Sequence, residues 1–163
     1  MKIDILKSQK IRFVGTVEFP ELYKYMKLWL EDNGFIKDQR NFEKKYTEKM
    51  KADGKKQLEI AWESQKSVSE FFEYHIDVTI LALAMGDVEI QQEGIKKKVQ
   101  KGDFEIRVSS YLKSTSRWDN LKGIQKLYHE MFIRKRIDLY LEELYKKSTS
   151  FQSFIKDFLG LRN

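Results

Sequence analysis

Three titratable side chains, Glu73, His75 and Asp77, occupy alternate positions of one predicted strand, and their types and spacing could support chemistry. Alternate residues of a strand project from the same face, about 7 Å apart. A histidine held by carboxylates keeps one tautomer, as in acid-base and metal sites. The competing interpretation is the polar face of a sheet, because the intervening positions are mostly apolar: Phe72, Tyr74, Ile76 and Val78. We favour the second interpretation, since two histidines and no cysteine leave few ligands for zinc.

Composition and the absence of known motifs exclude several classes of protein function. The 163 residues carry a formal net charge of +6 and include no cysteine. The absence of cysteine excludes disulfides and thiolate metal sites and favours a cytoplasmic location. The chain has no nucleophile-elbow, zinc-protease, dithiol or phosphate-loop motif, so we predict a non-enzymatic protein with no catalytic residue, metal or cofactor. The longest apolar run, residues 80–85, is far shorter than the ~20 residues of a transmembrane helix, so we predict no membrane span.

The first forty residues predict a strand followed by a short helix. Residues 10–17 form the strand, and Pro20 then stands where helices commonly begin, because its fixed φ suits the first turn. Asn33 and Gly34 end the helical pattern, since glycine readily adopts the left-handed conformation that follows a helix.

Residues 42–115 alternate between apolar and polar, which predicts about six antiparallel strands joined by short links. Asp53-Gly54 predicts a two-residue hairpin, because a type I′ turn needs a positive φ at both central positions. We expect Gly86-Asp87 to end one strand, Gly94 to mark a bulge and Lys101-Gly102 to form a turn.

The remaining sequence predicts a long amphipathic helix over residues 121–147. Its apolar stripe begins at Ile124, Leu127, Tyr128 and Met131 and continues at Ile133. Residues 148–150, Ser-Thr-Ser, are expected to separate it from a short terminal helix at 150–160. The predicted class is therefore α+β: one domain over residues 1–163, in which a curved antiparallel sheet of about six strands packs on a long C-terminal helix.

This order of elements resembles the helix-grip order of the START-like superfamily, in which a curved sheet wraps the last helix. The likeness covers nearly the whole chain but includes no shared motif, and the superfamily commonly has two short helices and seven strands. The resemblance implies a cavity between sheet and C-terminal helix for a lipid or another apolar small molecule. Our first functional hypothesis is such a non-enzymatic binding domain.

The aromatic-rich inner face of the predicted sheet supplies candidate ligand-binding residues. Lys97 shares the parity of Ile95 and Val99, so it is expected to point inward, where it would meet an anionic head group. The full predicted set is Trp62, Tyr74, Ile76, Lys97, Ile106, Tyr128 and Met131.

Two alternative functions depend on other residues. A nucleic-acid or ribonucleoprotein-associated module would use the basic side chains of a hairpin and of the long helix, which are Lys96, Lys98, Lys101, Arg134, Lys135 and Arg136. Acidic residues one turn further along the helix are expected to pair with its cations. A protein-interaction adaptor would instead use the C-terminal helix, whose apolar residues can hold a partner. The sequence leaves the oligomeric state open.

Overall fold

A five-stranded curved antiparallel sheet and one long helix dominate the structure, a computed structural model that describes residues 1–161. The elements are β1 (Lys2–Val17), α1 (Phe19–Asp32), β2 (Glu43–Met50), β3 (Lys56–Ser67), β4 (Phe72–Gln92), β5 (Ile95–Ser114), α2 (Ser116–Asp119) and α3 (Ile124–Phe158). The strand order is β1-β5-β4-β3-β2, and every neighbouring pair is antiparallel. The α+β class is confirmed, with five strands in place of about six.

The strand count differs because two predicted breaks lie inside continuous strands. The pairing of β4 with β5 shifts register between Leu83 and Gly86, and Ala84 there has a φ of 51°. This β-bulge stands where Gly86-Asp87 was expected to end a strand. Gly102 lies opposite the bulge within β5, so it forms no turn. A bulge bends a strand without ending its ladder, and the sequence signal resembles a strand end.

The turn between β4 and β5 lies at Glu93-Gly94, whose φ values of 55° and 78° suit a two-residue hairpin. Gly94 therefore closes a hairpin and is not a bulge. Ile95, which was expected to face inward, is 70% exposed at this tip, whereas Val99 is buried. The end of the hairpin extends beyond the part of the sheet that the helices cover, so alternation there no longer separates a core face from a solvent face.

The local signals of α1 are confirmed, and the first hairpin lies where Asp53-Gly54 predicts it, although only Gly54 of this pair has a positive φ, so the turn is not the predicted two-residue type. Pro20 occupies the first turn of α1, and Gly34 follows the helix with a φ of 82°. The hairpin between β2 and β3 is closed by a hydrogen bond from Lys51 N to Lys55 O at 2.8 Å, around Gly54. These turns need particular residue types at particular positions, so they can be identified without tertiary context.

The core lies between one face of the sheet and the two longer helices. Inward residues of β3, β4 and β5 pack with Leu22, Met26 and Leu30 of α1 and with Leu144, Phe151 and Ile155 of α3. The rings of Trp29 and Phe151 lie 4.8 Å apart and join α1 to α3. The Tyr74 hydroxyl donates to Glu143 Oε2 at 2.9 Å, which ties α3 to the centre of the sheet.

Helix α3 is continuous across residues 148–150, so the predicted separate helix at 150–160 is wrong. Ser148 Oγ donates to Leu144 O at 2.6 Å, and Thr149 Oγ1 donates to Tyr145 O at 2.8 Å. The hydroxyls that would compete with the helix are therefore bonded within it. Among residues 1–161, no helix has the length and apolar content that a bilayer crossing needs.

Candidate functional site

The residues predicted to line a ligand cavity do not share one surface. Trp62, Tyr74, Ile76 and Ile106 each expose at most 1% of their surface, so no water-sized space adjoins them. Tyr128 and Met131 instead lie on the outside of α3, where they are 59% and 78% exposed. The geometry does not support a cavity at these side chains, and the ligand hypothesis stays a prediction.

Lys97 lies far from the other predicted ligand residues. It belongs to the end of the β4–β5 hairpin and forms an ion pair with Glu18, which precedes α1. The hairpin borders the C-terminal end of α3, where Val99 and Phe158 line the same depression, whereas Tyr128 lies near the N-terminal end of α3. Lys97 therefore has an anionic partner from its own chain and does not point toward the core.

The basic residues of the nucleic-acid alternative fall into two separate groups. Lys96 and Lys98 lie on the exposed end of the hairpin, where Lys98 pairs with Asp87 at 3.2 Å, and Lys101 is exposed further along β5, opposite Gly86. Arg134, Lys135 and Arg136 lie on α3, about 30 Å or more from the hairpin at 1.5 Å per residue. The two groups therefore form no continuous basic patch.

His75 and its neighbours form a polar cluster on the face of the sheet opposite the core. His75 Nε2 lies 3.0 Å from Glu73 Oε2, and its ring stacks on Tyr111 of β5 with centroids 4.7 Å apart. Burial lowers the pKa of His75, while the Glu73 carboxylate opposes this effect. His75 and Tyr111 line a cleft of about 350 Å³ beside the loop that joins α1 to β2. The cleft mixes basic and acidic side chains, so no single charge selects a ligand.

Asp77 is the most perturbed carboxyl group of this cluster. Burial, followed by repulsion from Glu63 on β3, raises its pKa to about 6, although a hydrogen bond with Tyr111 opposes the shift. Burial and the Asp77 charge raise the pKa of Tyr111 to about 12. Asp77 Oδ1 is buried without a hydrogen-bond partner among residues 1–161. In that same part of the chain, no three His, Cys, Asp or Glu side chains are placed to hold a metal ion.

We expect Asp77→Asn to stabilise the protein at neutral pH. The raised pKa means that the folded protein binds the Asp77 proton more tightly than the unfolded chain does, so ionisation lowers the free energy of unfolding as pH rises from about 4 to about 6. Asparagine cannot ionise, and we expect a gain on the order of 1 kcal/mol at pH 7, after allowance for the partial exposure of the carboxyl group.

Urea denaturation of the wild type and of Asp77→Asn at pH 4 and pH 7 measures this effect. His75 is present in both proteins, so the difference between their free energies of unfolding isolates the contribution of Asp77. The matched control is Asp87→Asn on the same strand, because Gln100 and Lys98 lower the pKa of Asp87. That control should not gain stability between pH 4 and pH 7. Equal gains at both pH values for Asp77→Asn would contradict the assigned titration.

The strongest surface feature lies on α3 and comprises seven exposed large apolar side chains. At ~100° per residue, all seven fall within an arc of about 140° on one side of the helix. We call this surface the outer face of α3, and its residues are Ile124, Leu127, Tyr128, Met131, Phe132, Leu139 and Tyr145. The buried residues Ile133, Leu144, Phe151 and Ile155 occupy the opposite side. Helix α3 therefore has two apolar faces, of which the sheet covers one.

Comparisons with protein-family models, curated proteins and solved structures find no match to this chain.

Sequence reasoning missed the outer face because it joined residues of both faces into one stripe. The step from Met131 to Ile133 turns a helix by ~200°, so these two residues cannot lie on one side. The angle between these two residues was the sequence signal that could have separated the two faces of the helix. Only part of the expected charge pairing on the helix forms. Glu142 pairs with Lys146 at 3.1 Å, whereas Arg134, Lys135 and Arg136 form no ion pair with any residue in 1–161.

Proposed function

We propose that this protein is an interaction domain that binds another protein surface through the outer face of α3. The observation that carries the proposal is the position of the seven apolar side chains on one side of a helix whose opposite side is buried. Large contiguous apolar surfaces on folded proteins mark interaction sites, whereas scattered apolar residues need no explanation. A helix face with this spacing is a common form of recognition.

The scaffold suits this role because α1 and the sheet pack on the inner face of α3. Phe151 packs on Trp29 of α1, and Glu143 accepts the Tyr74 hydrogen bond from the sheet. A preformed helix loses little conformational entropy when it binds, so the apolar contacts contribute more fully to affinity. The cytoplasmic location expected from the absence of cysteine is part of the same proposal.

Site-specific photo-crosslinking in a lysate of the source cells tests this function. A photoreactive phenylalanine analogue replaces Phe132 on the outer face, or Tyr46 on β2 as an aromatic control that is 52% exposed. We expect a discrete adduct from position 132 and none from position 46. The partner, once identified and purified, should protect residues 124–145 from amide hydrogen exchange.

We expect Met131→Glu to reduce the yield of that adduct on the order of tenfold, because it places a charge among the densest apolar residues of the outer face, 124–132. The matched control is Met50→Glu, since Met50 is also strongly exposed, at 67%, but lies on β2. Equal yields from Met131→Glu and Met50→Glu, or equal labelling from positions 132 and 46, would contradict a role for the outer face.

A further inference from the structure

The charged residues on the outer half of α3 alternate in blocks along the helix. The N-terminal part of the outer face, residues 124–132, carries its densest apolar residues. The cations Arg134 and Lys135 follow, which form no ion pair within residues 1–161, and then the acids Asp138 and Glu142, the second of which pairs with Lys146 on the same side of the helix. The change of sign occurs near residue 137, close to the middle of the segment 124–149.

We propose that the partner of the outer face is a second copy of this chain, whose α3 lies antiparallel across the first. The inference rests on the proposed function, since it uses the same surface. A two-fold axis near residue 138 places the basic block of each helix opposite the acidic block of the other. A homodimer interface of this kind is isologous, so every favourable contact occurs twice.

Helical geometry specifies the contacts of this pairing. In an antiparallel two-fold pair, the same flank of each helix meets its counterpart. Lys135 then lies opposite Glu142 of the second copy in the centre of the face. On one flank the axis brings the two Asp138 carboxylates close together, and Arg134 of each copy lies one turn away on the same flank, within reach of Asp138 of the other copy.

Apolar residues complete the interface on both sides of the axis. Leu139 lies near the axis against its own counterpart, and Met131 of each copy lies opposite Tyr145 of the other. The seven side chains present on the order of 1,000 Å² per copy, so a contact that covers most of this area approaches the ~800 Å² that each partner contributes to a standard interface. Apolar burial supplies affinity, and the charge pattern selects the antiparallel register.

Charge reversal in the purified protein tests the proposal. Sedimentation velocity over about 1–100 μM should show a reversible dimer of the wild type. Lys135→Glu places like charges opposite Glu142, and Glu142→Lys places like charges opposite Lys135, so each variant should dimerise at least ~10-fold more weakly. An equimolar mixture of the two variants restores both opposite-charge pairs, and we expect it to form a heterodimer within ~3-fold of the wild-type affinity.

The variants should keep the native fold, because Lys135 is exposed and the Glu142–Lys146 pair is an exposed pair whose loss costs little. Circular dichroism melting curves check this directly. A wild type that stays monomeric at about 100 μM overturns the proposal, and so does a dimer that neither charge reversal weakens. An adduct between position 132 and a different protein would then still support the proposed function, whereas loss of both results would overturn both.

Discussion

Phe151→Ala is expected to lower the free energy of unfolding by about 3–5 kcal/mol, the range for large-to-small substitutions of buried phenylalanine. Phe151 lies on the inner face of α3 and has no exposed surface. Its ring lies 4.8 Å from Trp29, so the truncation removes a contact that joins α3 to α1. The surrounding core belongs to both helices and the sheet, which limits how far it can collapse into the space.

The matched control lies on the opposite side of the same helix. Phe132 is 61% exposed, so Phe132→Ala should change the free energy of unfolding by no more than about 0.5 kcal/mol. Urea denaturation followed by circular dichroism, at a concentration where the protein is monomeric, measures both variants. Similar losses for Phe151→Ala and Phe132→Ala would show that α3 does not present one buried and one exposed apolar face.

Gly102→Ala is expected to destabilise the protein by about 1–3 kcal/mol, as overpacking of a well-packed site does. Gly102 lies opposite the bulge in β4, where the backbone of that strand approaches closely. A Cβ at this position would lie 3.1 Å from Leu83 O and 3.1 Å from Met85 Cα. Both are backbone atoms of a paired strand, so they cannot move aside as the end of a flexible side chain would.

Gly86→Ala is the control on the other strand of the same bulge. Its added Cβ would meet only Lys55 Cγ, at 3.9 Å, which is ordinary contact. We therefore expect no loss of stability, and a small gain is consistent with the lower entropy of the unfolded chain. Thermal unfolding of both variants measures the difference, and equal melting temperatures for Gly102→Ala and Gly86→Ala would show that the bulge has a different geometry.

The elements of this fold could be predicted wherever their signals are local. Pro20 and Gly34 bound α1, and Gly54 closes the first hairpin, because each position needs a residue type that few others replace. Glycine at position 94 signals an irregularity in the strand pattern, but the sequence predicts a bulge there and the structure has a turn. The reverse holds at residues 83–86, where the sequence predicts a strand end and the structure has a bulge. A turn and a bulge use the same residues, so only strand pairing distinguishes them. The START-like resemblance, which depends on element order alone, stays a prediction.

The candidate site could be predicted only in part, because the burial of an apolar residue depends on which element packs on its face of the helix or strand. Tyr74 and Met131 are both apolar residues in regular patterns, yet one has no exposed surface and the other is 78% exposed. Glu73, His75 and Asp77 were correctly expected to share one strand face. Their burial next to Tyr111, and the raised pKa of Asp77 that follows, depend on a strand more than thirty residues away in sequence.

The sequence by itself therefore determined the α+β class, the antiparallel pairing of successive strands from β2 to β5 and the existence of a long C-terminal helix, since periodicity and turn residues act over a few positions. Only the tertiary structure decided which of the two apolar faces of α3 the sheet covers. A helix with apolar residues on opposite sides has no unique inward direction of its own. The sheet can bury one side only, and the side that remains, residues 124–145, is the surface on which the proposed function depends.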